Sequence, residues 1–110
     1  MAQVFTVVRV SIDRFDPEKL ESVKSALREA YDKLAPGIRN MSGNLSYFAG
    51  IDRENCAMVN VSSWDSLSSA KQMERFQPML DLAREFSEMG VRFERPILNF
   101  EQLWTIEEEK

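Results

Sequence analysis

The chain of 110 residues contains no histidine. That absence removes the side chain that most often moves protons near neutral pH, and with it the commonest metal ligand. Neither a Ser-His-Asp nor a Cys-His arrangement can be assembled from this chain alone. Cysteine is almost as scarce. Cys56 stands alone, so no internal disulfide can form, and a zinc site would depend on carboxylates and one thiolate. No bound cofactor is expected, whether zinc, haem or flavin. No apolar run approaches the roughly 20 residues that a membrane helix needs, so no membrane partner is expected. No basic stripe is present either. The net charge is −4 and acidic residues gather at Glu107 to Glu109, which argues against nucleic acid as a partner. The N-terminus passes straight into an alternating strand pattern, without a basic segment and apolar signal core, and the expected location is the cytoplasm.

What the chain does contain points to one domain, residues 1–106, followed by an acidic tail, residues 107–110. "VFTVVRVSI" (Val4 to Ile12) is rich in β-branched residues and reads as a buried strand. "FDPEKLESVKSALREAYDKLA" reads as a helix, with Asp16 placed to cap it, Pro17 at its first position, and Phe15 and Leu20 spaced as a staple. Leu20, Val23, Leu27, Ala30, Tyr31 and Leu34 form its apolar stripe, and Pro36–Gly37 is expected to end it. "NLSYFAGI" and "CAMVNVSSW" read as a hairpin around Asp52 to Asn55. A second helical region begins at Asp65 and is interrupted at Gln77–Pro78. A further helix through Met79, Leu82, Phe86 and Met89 ends at Gly90. "PILNFEQLWTI" closes the chain as a strand. The order β-α-β-β-α-β, with its second helix broken, predicts an α+β, ferredoxin-like fold on an antiparallel four-stranded sheet.

Strand alternation then divides the sheet into two faces. Val4, Val8, Val10, Ile12, Leu45, Tyr47, Ala57, Val59, Val61, Leu98, Phe100, Trp104 and Ile106 share one parity, and are expected beneath the helices. Phe5, Val7, Arg9, Ser46, Phe48, Met58, Asn60, Ser62, Asn99, Glu101 and Leu103 share the other. The second set is too apolar for a solvent face. A second copy of the chain is expected to cover it, which predicts a homodimer through the sheet face.

The strand end "NVSSWDSLSSA", the hairpin preceded by "PGIRN" and the closing "ILNFEQLWTI" together resemble the dimeric α/β-barrel superfamily, and within it the antibiotic-biosynthesis-monooxygenase-like domains. The resemblance covers nearly the whole chain through loose motifs. It implies a dimeric α/β barrel from a superfamily that includes cofactor-independent monooxygenases of polycyclic aromatic metabolites, haem-degrading enzymes, haem peroxidases and small isomerases. The haem-using branches rely on a histidine that this chain lacks. Cofactor-free oxygenation stays open, because an electron-rich phenolate or enolate can itself pass an electron to oxygen.

Arg9, Asn60, Asn99 and Glu101 could converge on the mixed face as a ligand site. Arg9 would stabilise an anion, the amides would orient oxygens and Glu101 could accept a proton. The competing reading is that these groups hydrogen-bond across the dimer interface. Trp64 is expected to fill a corner of the core, Asp65 to cap the following helix, and Met73, Met79 and Met89 to pack in the core. Two functions follow. One is a cofactor-independent monooxygenase acting on a hydrophobic aromatic or polyketide-like metabolite. The other is a non-catalytic dimeric module that binds a small ligand or serves a structural role.

Overall fold

Strand β1 (Val7–Arg14) is the centre of the sheet, and β-branched Val7, Val8, Val10 and Ile12 favour that extended course. The computed structural model describes residues 5–106, so Val4 and the tail Glu107 to Glu109 lie outside the described residues. A single 3-10 turn leads into helix α1 (Leu20–Arg39), and the hairpin of β2 (Asn44–Asp52) and β3 (Ala57–Trp64) follows. A short helix α2 (Leu67–Ala70), a 3-10 segment (Lys71–Arg75) and helix α3 (Gln77–Glu88) come next. The chain then returns as β4 (Arg92–Phe93) and β5 (Leu98–Glu101). The sheet order is β2-β3-β1-β4, and β5 also pairs with β1; all the pairings are antiparallel. The expected α+β, ferredoxin-like arrangement is present.

The core lies between the sheet and the helices. Val23, Ala30, Leu34 and Ile38 from α1 meet Leu82 and Phe86 from α3, Met73, and the sheet residues Val7, Met58 and Trp64. Their helical spacings put them on one stripe of each helix. Phe15 is buried at the start of α1 and Leu20 packs against the same core. Met73 is buried, and Met79 and Met89 are partly buried against the core. Tyr31, expected in the stripe, is instead exposed.

Several element ends differ from the expectation. Helix α1 runs through Pro36 to Arg39. Gly37 lets the Phe76 ring approach closely, since a Cβ there would lie 2.6 Å from two ring atoms. Packing at that point outweighs the helix-ending tendency of Pro-Gly. Asp16 makes no side-chain cap; its carboxylate meets Arg92 at 3.2 Å. Ser66, rather than Asp65, caps α2 by accepting from the Ser69 N–H at 3.0 Å. The closing strand is shorter than expected, Leu98–Glu101, and an unexpected two-residue strand, β4, precedes it, with a cis Arg95–Pro96 bond in the segment between them. Trp104 and Ile106 follow β5 and are exposed.

Along β1, β3 and β5 the two faces of the sheet are the reverse of those expected, while Tyr47 and Phe48 of β2 keep theirs. Register places Val7, Arg9, Ser11 and Asp13 opposite Trp64, Ser62, Asn60 and Met58, and this set faces the helices. Val8, Val10 and Ile12 stand opposite Ser63, Val61 and Val59 on the outer face. The hairpin register, unbroken from Asp52 opposite Ala57, turns Tyr47 inward opposite Ser62 and Phe48 outward opposite Val61; the irregularity between Asn44 and Ser46 displaces only the start of β2. Phe48, Leu98 and Phe100 are exposed there. The rule that the more apolar face lies under the helices fails because polar groups line a cavity inside.

Candidate functional site

Alternation along β1 sends Arg9, Ser11 and Asp13 to the same side, each step of two residues advancing about 6–7 Å. They line a cavity of about 80 Å³ beneath the helices, together with Tyr47, Asn60 and Ser62 from the neighbouring strands. Leu27, Ala30 and Leu34 of α1 and Leu82 and Phe86 of α3 supply an apolar roof. A second cavity of about 370 Å³ opens between α1 and the hairpin. The two share Leu27, Ala30, Leu34, Tyr47 and Asn60 as lining, so they adjoin. A combined space of this kind falls in the size range of small-molecule sites.

Arg9 is the most unusual group in the cavity. The residue is only 8% exposed, and no described residue accepts a hydrogen bond from its buried Nη1. The nearest carboxylate, Glu74 Oε2, stands 3.8 Å away, beyond hydrogen-bond length. Burial lowers the guanidinium pKa and Glu74 opposes that effect. A buried guanidinium with an unmatched N–H favours an anionic oxygen brought to it.

Asp13 is 1% exposed and receives the Ser11 hydroxyl at 3.1 Å on one carboxylate oxygen and 3.3 Å on the other. Arg95 Nη1 is 4.0 Å away. Burial dominates these partners and pushes the Asp13 pKa up to about 6. Asp13 can therefore take or release a proton near neutrality, work that the missing histidine leaves open. The Tyr47 hydroxyl donates to Asn60 Oδ1 at 2.9 Å, and burial raises its pKa. Trp64 is fully buried and gives its Nε1–H to Ser62 Oγ at 2.8 Å, which makes it a core residue.

Of the four residues expected to converge, Arg9 and Asn60 line the inner cavity. Asn99 and Glu101 share their face of the sheet through pairing with Arg9 and Val7. Both are exposed, however, and line a separate depression with Asp65, Ser66 and Leu67. β5 ends beyond the helical roof, which accounts for the separation. Sequence reading passed over Asp13 because the first strand was expected to stop at Ile12. The alternation Val7, Arg9, Ser11, Asp13 carried the signal, since three polar residues in step mark one side of a strand. Among the described residues no cluster of three or more potential metal ligands occurs, and no helix is long and apolar enough to cross a membrane.

No family model matches the sequence, and no curated protein matches it. Solved structures do. A monooxygenase of Streptomyces coelicolor, from the gene ActVA-Orf6 and in complex with nanaomycin D, is similar with a TM-score of 0.69 at 17% identity, over 96% of this chain and 94% of that one. A protein of Deinococcus radiodurans, proposed to be an antibiotic biosynthesis monooxygenase, gives 0.70 at 15% identity, over 94% and 99%. One of Nitrosomonas europaea, proposed to be the same, gives 0.68 at 13% identity, over 94% and 96%. The chain has the ferredoxin-like fold of antibiotic-biosynthesis-monooxygenase-like proteins. At these identities the likeness is one of fold.

Proposed function

We propose that the protein is a cofactor-independent monooxygenase of hydrophobic hydroxyarenes, with its site in the cavity between sheet and helices. The observation that carries the reading is Arg9, a buried guanidinium with an unmatched N–H, set among apolar walls beside a carboxyl that titrates near pH 6. That a structural neighbour is a monooxygenase in complex with the ligand nanaomycin D supports a small organic ligand in this fold. In this reading the phenol oxygen lies at Arg9 and Ser11, Ser11 passes the phenol proton to Asp13, and Arg9 holds the phenolate. Tyr47 and Asn60 orient the ring, and the apolar walls exclude water.

The chemistry balances without an external reductant. The phenolate gives an electron to O2, and the resulting radicals combine to form a C–O bond at the para carbon. Loss of the para C–H proton and cleavage of the O–O bond leave a quinone and water. One oxygen atom enters the ring, and the other leaves with the two protons that the substrate has given up. Substrate supplies all four electrons.

The outer sheet face supports a homodimer. Val8, Val10, Val59, Val61, Phe48 and Phe100 form an apolar surface that a second copy would cover. Neither zinc, haem nor flavin has a part in the proposed reaction. Anaerobic titration with naphthol tests the site: wild type binds, and Arg9→Met weakens binding at least tenfold. Equal affinities would remove Arg9 from the site. Binding without turnover in air would favour the non-catalytic ligand-binding module.

A further inference from the structure

We infer that the ligand of this site is an acidic hydroxyarene, a fused aromatic whose phenolic end lies at Arg9 and whose far end carries a carboxylate received by Arg39. The inference rests on the proposed binding cavity and specifies what enters it. The inner cavity, at about 80 Å³, takes little more than the oxygen-bearing end of a ring. The ring body belongs in the adjoining 370 Å³ cavity, where Leu27, Ala30 and Leu34 line both spaces. At the open side of that outer cavity stand Arg39 and Tyr31.

Arg39 is built to meet an anion. It lies in the last turn of α1, and its Nη2 donates to the Tyr31 hydroxyl, which leaves the guanidinium carbon 5.7 Å from the Tyr31 ring centre. Tyr31 and Arg39 are eight positions apart on one helix, both exposed at the rim of the outer cavity, and the contact ties the two side chains together there. Among the described residues no carboxylate lies within 4.0 Å of Arg39, as is also true of Arg28, Arg75 and Arg84; of these four, Arg39 alone lines the outer cavity. A planar guanidinium held by a tyrosine hydroxyl suits two-point recognition of a carboxylate.

Two probes and two variants test this by calorimetric titration under nitrogen: naphthol, and a hydroxynaphthoic acid with its carboxylate on the distal ring. Wild type is expected to bind the acid about tenfold more tightly than naphthol, the scale of one charge-assisted contact at a partly exposed site. In Arg39→Gln that ratio should fall to about one, and in Arg9→Met both probes should bind more weakly. An acid no tighter than naphthol in wild type, or a preference that survives in Arg39→Gln, would overturn the inference. If naphthol still binds and still depends on Arg9, only the Arg39 assignment falls. If neither probe binds wild type, the cavity reading falls with it.

Discussion

The Tyr47 hydroxyl and Asn60 Oδ1 meet at 2.9 Å, tying β2 to β3 inside the cavity rather than across a dimer interface. Asn60→Leu leaves that buried hydroxyl without an acceptor and is expected to cost about 1–3 kcal/mol. Adding Tyr47→Phe should restore most of the stability while naphthol binding stays impaired. Urea unfolding and titration of both variants check this. Binding recovered along with stability would reduce the pair to a structural link.

Arg9 presents the opposite balance. A buried charge that lacks close pairing contributes little to stability, and an apolar replacement of similar length is commonly neutral or favourable. Arg9→Met is therefore expected to unfold at an equal or higher urea concentration than wild type, while losing phenol affinity. A large loss of stability would instead mark Arg9 as a structural anchor.

Asp13 predicts a pH dependence of definite sign. Its folded pKa, about 6, lies above the ordinary carboxylate value of 3.8, so the folded chain holds the proton more tightly than the unfolded chain does. Its contribution to stability is greatest below pH 4 and declines as pH rises from about 4 to 6, by on the order of 2–3 kcal/mol. Unfolding free energies across that window should fall less steeply in Asp13→Asn. Turnover should rise through pH 6 as Asp13 loses its proton and can accept another. An identical pH profile for the variant would contradict the assignment.

Association is expected to run through the outer face. Val61 stands there between Val10 and Phe48, so Val61→Lys places a charge in the middle of the apolar surface. Sedimentation should show the wild type as a dimer and the variant shifted toward monomer. Met58, on the same strand, is buried at 3% exposure beneath the helices. A charge at Met58 would disturb the core rather than the association.

The order of elements was legible in the sequence because hydrophobic period and turn residues are local signals. Helix α1, the hairpin and the break before Pro78 all follow from such signals. The orientation of the sheet was not, because Val8, Val10 and Ile12 satisfy the pattern of a buried face and of an association face equally well. Arg9 and Asn60 were found as polar residues in apolar strands. Asp13 was missed with the strand end, Tyr47 was placed beneath the helices, where it lies, but grouped with Val59 and Val61, which face outward, and Arg39 lay beyond the expected end of its helix. Asn99 and Glu101 shared the right parity, but parity alone does not tell how far the helical roof extends.

Oxygen uptake tests the central claim most directly. Wild-type protein would be mixed in an oxygen electrode with a tricyclic hydroxyarene that has a free para position, and the product analysed after reaction under isotopically labelled O2. The account predicts one O2 consumed per quinone formed, one labelled atom in the product, and a rate that collapses in Arg9→Met. Uptake no faster than the uncatalysed reaction across a series of such phenols, with the phenols bound, would contradict it.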